Sequence, residues 1–173
     1  MSSIIKVDTI QTAAGGTPTA ADLGLNVTGA VLQVVEATQS TTTNVDGTTS
    51  YTDSGLSGSI TPSSASNKII IITAQSGYLQ RHSNDGIDAF CRLYRTTDST
   101  ELTTLYKQGR AGLGYSSQLY FPMQYSFAYI DSPNTTSEVS YKTQGKMASG
   151  YTSSSARIGF VSTGKMILME IAG

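Results

Sequence analysis

The sequence predicts an all-β chain: a jelly-roll-like antiparallel β-sandwich behind an extended N-terminal arm. Three observations predict it. Ser and Thr supply more than a quarter of the 173 residues, Tyr reaches 10, Trp is absent and only 13% of residues are charged, about half the charged share of an ordinary soluble domain. Short runs of alternating apolar and polar residues recur along the chain, separated by turn formers. No helical period and no internal repeat interrupts them.

The chain divides at residue 29. Residues 1–29 form the predicted arm. Ile4, Ile5, Val7 and Ile10 make a short apolar stretch, Ala13-Ala14-Gly15-Gly16-Thr17-Pro18 breaks it, and Thr19 to Leu25, with Leu23 and Leu25, has room for one capped helical turn before Gly24. Such a segment cannot bury its apolar residues within itself, so it is expected to dock elsewhere and to order on doing so.

Residues 30–173 form the predicted sandwich. Val31 to Ala37 is a first strand and Thr38 to Gly47 a polar loop with a turn at Asp46-Gly47. Thr48–Asp53 and Leu56–Thr61 make a second strand, broken near Gly55. The third, Lys68 to Gly77, opens with four isoleucines in a row, Ile69 to Ile72, and so carries apolar surface on both faces. It must be covered on both sides, by a second sheet and by another copy of the chain.

Ser83-Asn84-Asp85-Gly86 is a turn. In Ile87–Arg95, Ile87, Ala89, Cys91 and Leu93 share the core face. Phe90, Arg92 and Tyr94 share the outer face, where these residue types fit a subunit interface. Glu101–Lys107 is a strand. Leu119–Ile130 alternates over a longer span, with Pro122 marking an edge or a bulge. Asp131-Ser132-Pro133-Asn134 turns the chain into Glu138–Met147. Ala156–Val161 and Lys165–Ile171 close it, and Met166 to Met169 is again apolar on both faces. Oligomerisation is the natural cover for that surplus.

Little chemistry is legible. Net charge is −1, which argues against a nucleic-acid partner, since neutralising phosphates needs a basic face. The single cysteine, Cys91, precludes an internal disulfide framework and a cysteine zinc site, and on its core face it is expected to act as a small hydrophobe. His82 is the only histidine, and it lies with Ser83, Asp85 and Asp88 in one turn, without the orienting third group a triad needs. Asn84, Asp85 and Asp88 lack the calcium-loop pattern. Gly109, Gly112 and Gly114 reverse the dinucleotide fingerprint and follow no βαβ unit. No catalytic residue, cofactor site or metal site is therefore predicted. The N-terminus has neither the basic nor the apolar region of a signal peptide, and no stretch reaches the ~20 apolar residues of a membrane span. Folding in a cytoplasm without membrane insertion is the expectation.

Two patterns carry a resemblance. The start, IIKVDTIQTAAGG, followed by GLNVTGAVLQVV, resembles the N-terminal segment of fibre-type virion proteins of tailed bacteriophages. GLSGSITPSSASNKIIII is similar to strand–turn–strand patterns in their β-rich domains, and KMILMEIAG to their short apolar C-terminal strand. The resemblance implies a non-enzymatic homotrimer on the virion. It implies docking to other tail or head proteins through the arm, and an exposed β-domain able to touch host surface glycans. Tyr115 and Tyr120, beside the glycine loop, are the candidate glycan contacts. The chain lacks the repeats or heptads of a fibre shaft, so a short fibre on tail or head fits better than a long one. A capsid-decorating head fibre and a carbohydrate-binding module are the alternatives.

Overall fold

The computed structural model describes residues 28–81, 87–109, 119–148 and 156–173, together with Gln11, Gly15 and Gly16. The predicted docking residues Ile4, Ile5, Val7, Ile10, Leu23 and Leu25 lie outside the described residues. So do His82 to Gly86, Tyr115 and most of the glycine loop.

The described residues form ten strands: β1 Val31–Thr38, β2 Thr43–Asp46, β3 Thr52–Ile60, β4 Lys68–Arg81, β5 Ile87–Arg95, β6 Thr100–Gly109, β7 Leu119–Asp131, β8 Val139–Met147, β9 Ala156–Phe160 and β10 Lys165–Ile171. All pairing is antiparallel, in two sheets. The first joins β1–β10–β4–β9–β2 with β7 on the far edge of β4, and the second runs β3–β8–β5–β6.

The ten strands reduce to eight. β9 pairs Gly77–Arg81 of β4 and β10 pairs Lys68–Ala74 on the same edge, so the two are one strand interrupted at residues 161–164. β1 and β2 pair β10 and β9 in the same way and are one strand interrupted at residues 39–42. Counted so, the first strand pairs the last, the second the seventh, the third the sixth and the fourth the fifth. That is one long hairpin folded over on itself, the jelly-roll arrangement of a sandwich.

Alternation places the core as the sequence predicts. Ile69, Ile71, Leu79, Tyr125, Ile158, Phe160, Met166 and Leu168 point inward from the first sheet. Leu56, Ile60, Ile87, Ala89, Cys91, Leu93, Val139 and Tyr141 meet them from the second. Burial pushes the Cys91 thiol well above its ordinary pKa, as an inert apolar site requires. β3 breaks where expected: Gly55 has φ +90° and the register with β8 shifts between Asp53 and Ser57. Pro122 lies on β7, an edge strand, and its pairing with β4 runs without a bulge. Two expectations fail in extent. β4 runs four residues past Gly77, and the polar loop after β1 contains β2, whose one core residue is Val45.

Buried polar groups fasten the sheets at two levels. At the interruption, Gln39, Ser54, Gln75 and Thr143 are all buried. Gln75 Nε2 donates to Gln39 Oε1 at 2.5 Å and to Ser54 Oγ at 3.1 Å, while Thr143 Oγ1 donates to Gln75 Oε1 at 3.0 Å. Gln39 Nε2 donates to the carbonyls of Thr41, Ser54 and Phe160. At the end where the chain enters, Glu170 is 1% exposed and has no cation partner among the described residues. Its carboxylate accepts from Gln33 Nε2 (2.6 Å), Ser63 N (2.6 Å), Ser63 Oγ (2.8 Å) and Asn67 Nδ2 (2.6 Å). The Thr-Pro-Ser-Ser-Ala-Ser-Asn turn is thereby tied to the last strand. Beside it, Arg95 of the second sheet donates to Asp131 of the first at 2.6 Å, and Tyr141 Oη donates to the same carboxylate at 2.8 Å.

Burial works against the Glu170 carboxylate, but the bonds from Asn67, Gln33 and Ser63 outweigh it and hold its pKa below the ordinary 4.5. The folded value lies below the unfolded one. Its contribution is thus complete above about pH 4.5 and is lost as pH falls through the folded value. Urea midpoints should therefore drop below pH 4.5, and the drop should be shallower in Glu170→Gln. An unchanged acid slope in that variant would assign the effect to other carboxylates. Glu170→Ala should cost about 3 kcal/mol at pH 7, because several donors to a charged acceptor are left buried and unmatched.

Candidate functional site

The two sheets present outer faces of opposite chemistry. On the second sheet, the predicted interface residues Phe90, Arg92 and Tyr94 do share the outer face of β5, each half-buried. Their neighbours in the chain occupy them. The Arg92 guanidinium lies 3.9 Å from the Tyr51 ring centre and 4.3 Å from that of Tyr94. Its Nε donates to Gln144 Oε1 at 2.8 Å and its Nη1 to Glu101 at 3.0 Å. Lys146 sits 4.5 Å from the Tyr51 ring, and Phe90 packs on Tyr106 at 5.3 Å. Asp53 accepts from Gln144 at 2.6 Å and from Lys142 at 3.0 Å. Burial raises the Asp53 pKa, but these bonds outweigh it and hold the group ionised. The Arg92 bond likewise lowers that of Glu101. A shallow groove of about 410 Å³ beside β3 is lined by Ser57, Ser59, Thr96 and Ser140 with the Asp53–Lys142 pair. No histidine or cysteine is among the described residues that line it.

The outer face of the first sheet is different. Cross-strand register aligns Val34, Met169, Ile70 and Ile130 in one row over β1, β10, β4 and β7. The next row is Glu36, Ile167, Ile72 and Ala128, and on the other side lie Val31, Ile171 and Lys68. Val31, Val34, Ile72 and Ile130 remain 56%, 60%, 41% and 61% exposed, which makes this the largest bare aliphatic area among the described residues. With strands ~4.8 Å apart and same-face residues ~6.8 Å apart, its nine aliphatic positions cover about 300 Å². Patches of that size on a subunit are often functional. Charge is confined to its margin, in the Glu36–Lys165 ion pair and Lys68. The doubly apolar runs at Ile69–Ile72 and Met166–Met169 signalled this face in the sequence. What the sequence did not give is that the two runs lie side by side.

Beyond the interruption the same face turns aromatic and polar. Tyr120, a predicted glycan contact, is 55% exposed and packs against Tyr78 with ring centres 5.4 Å apart. Tyr78 Oη donates to Asn44 Oδ1 at 3.1 Å, and Arg157 pairs with Asp46 nearby. Among the described residues no three His, Cys, Asp or Glu side chains gather as a metal set.

No family model matches the chain, and no curated protein matches it. Among solved structures it is similar to the VP2 subviral particle of infectious bursal disease virus: 15% identity, TM-score 0.41, covering 82% of this chain and 33% of that one. The Gt strain of the same virus gives 14% identity and TM-score 0.37 over 82% and 33%. A bacterial lipoprotein from Bacteroides thetaiotaomicron gives 10% and 0.38 over 84% and 94%. The chain spans about a third of the length of the virus proteins it aligns with. Likenesses this distant bear on neither activity nor partners, and the jelly roll is read from the strand order itself.

Replacing Arg92 by Met keeps the stem but removes the charge that joins Tyr51, Tyr94, Gln144 and Glu101. Urea unfolding should show a loss of about 1–2 kcal/mol. No loss would mean that Lys146 and Gln144 hold this face without it.

Proposed function

We propose that the chain is a non-enzymatic structural subunit of a virion, a short fibre-like protein of tail or head. Residues 1–29 dock it to the particle, and residues 30–173 form the exposed body of a homotrimer. The observation that carries this reading is the aliphatic outer face of the first sheet. An aliphatic face of this kind is a natural contact surface in an assembly. The resemblance of the N-terminal, central and C-terminal patterns to fibre-type virion proteins supplies the particle. Deleting residues 2–29 should abolish incorporation into particles while the body stays folded and soluble. Normal incorporation of the truncated chain would refute the docking role.

A second reading, contact with host surface glycans, is favoured by Tyr120, which is 55% exposed and packed on the half-buried Tyr78. Aromatic rings presented this way offer an amphipathic surface to a sugar ring. On a glycan array the full chain should bind a defined subset of sugars, and Tyr120→Ala should reduce that binding at least tenfold. A flat array, or full binding by the variant, removes this reading and leaves the structural one standing.

A further inference from the structure

We infer that the aliphatic face of the first sheet, and not the aromatic face of the second, joins one copy of this chain to another. The inference rests on the structural-subunit reading and names the surface by which the subunits meet. Its centre is the row Val34, Met169, Ile70 and Ile130, extended by Ile167 and Ile72.

Three features point to a second copy as the occupant. The face is a pleated lattice four strands wide, wider than one added segment of chain covers. The same face on neighbouring copies matches it in width and chemistry, and three such faces can close around a common axis. Its size and layout also suit an interface between subunits. About 300 Å² of aliphatic centre inside a polar margin is more than a third of the ~800 Å² each partner contributes to a stable complex, and interfaces have apolar centres and polar rims. Charge is the third feature. The chain has 11 Lys and Arg against 12 Asp and Glu, so copies meet without net repulsion. The margin carries both signs, Glu36 beside Lys165 on one side and Lys68 on the other. A strongly acidic or basic foreign partner gains nothing there, whereas a copy brings both signs back.

The aromatic face lacks this capacity. Covering it would strip water from the Arg92–Glu101 and Lys142–Asp53 pairs and from Lys146 over the Tyr51 ring. Desolvating such pairs cancels much of what the contact gains.

The test is the mass of the full chain by analytical ultracentrifugation from about 1 to 100 µM. Ile70→Lys/Ile130→Lys is compared with Tyr106→Lys on the other sheet. Ile70 and Ile130 point away from the core, and circular dichroism confirms that each variant is folded. The expected result is a multiple of the subunit mass for the wild type and Tyr106→Lys, and a single subunit for the double variant. Three outcomes overturn the inference: a wild type that stays single at 100 µM, a double variant that keeps the wild-type mass, or a Tyr106→Lys variant that alone loses it. If the wild type is single and deletion of residues 2–27 makes it associate, the chain's own arm covers the face. A single subunit here leaves the particle-docking experiment unaffected, so the two failures are distinguishable.

Discussion

A β-strand has two faces, and four consecutive isoleucines leave neither of them polar. That constraint at Ile69–Ile72 governs the molecule. Ile69 and Ile71 are buried between the sheets, each contributing roughly 1.5–3 kcal/mol of transfer free energy. That gain requires a second sheet across from β4 and a strand on each of its edges. The long-hairpin arrangement supplies both, with β7 on one edge and the β9–β10 pair on the other. Ile70 and Ile72 then have nowhere inside to go. They stand on the outer face beside Ile167 and Met169 of the neighbouring strand, which is apolar on both sides for the same reason.

Hydrophobic burial alone does not fix register, because a slip of two residues would put other apolar side chains inward. The buried polar groups do fix it. Gln39, Ser54, Gln75 and Thr143 come from four separate strands or their ends, and each finds its partners at one alignment only. A shift of β4 would leave the Gln75 amide and Gln39 Oε1 buried and unmatched, at about 1–3 kcal/mol each, while Ser54 and Thr143 keep their bond to each other. Glu170 does the same at the end of the sandwich, joining β1, the 61–67 turn and β10 through neutral donors. The two strand interruptions fall at the level of the glutamine network. There Gly77 and Gly159 let β4 and β9 approach so closely that a methyl group on Gly77 would lie 2.2 Å from the Gly159 carbonyl.

Much of this was legible. β5, β7, β8 and β10 were readable from alternation or apolar runs because each presents a continuous inner face, as in Ile87, Ala89, Cys91 and Leu93. β2 was not, since Thr-Asn-Val-Asp offers one apolar residue and is a strand only because β9 lies beside it. The last four residues of β4, Tyr78 to Arg81, were not read as strand, since they pair with the short β9, whose place beside them is set by strand order. Gln39 and Gln75 are 36 residues apart, and no local signal couples them. Nothing local marks Glu170 as a buried acceptor, and it is one because Asn67 and Ser63 arrive from a turn 103 and 107 residues earlier. The candidate surface was half legible. The apolar excess of two runs is visible in sequence, but their adjacency is a matter of strand order.

That adjacency also decides between the two outer faces. Residue type favours β5, because Phe, Arg and Tyr are common at interface centres. Context reverses the choice. Arg92 is held by two rings, an amide and a carboxylate of its own chain, so a partner would have to match or replace four contacts before gaining any. Ile130 and Val34 are more than half exposed and have only water to give up. Releasing that water is favourable, without directional demands on the partner. The proposed association would therefore draw its free energy from the face that looks plainer by composition, while the contacts of the richer face are made within the single subunit.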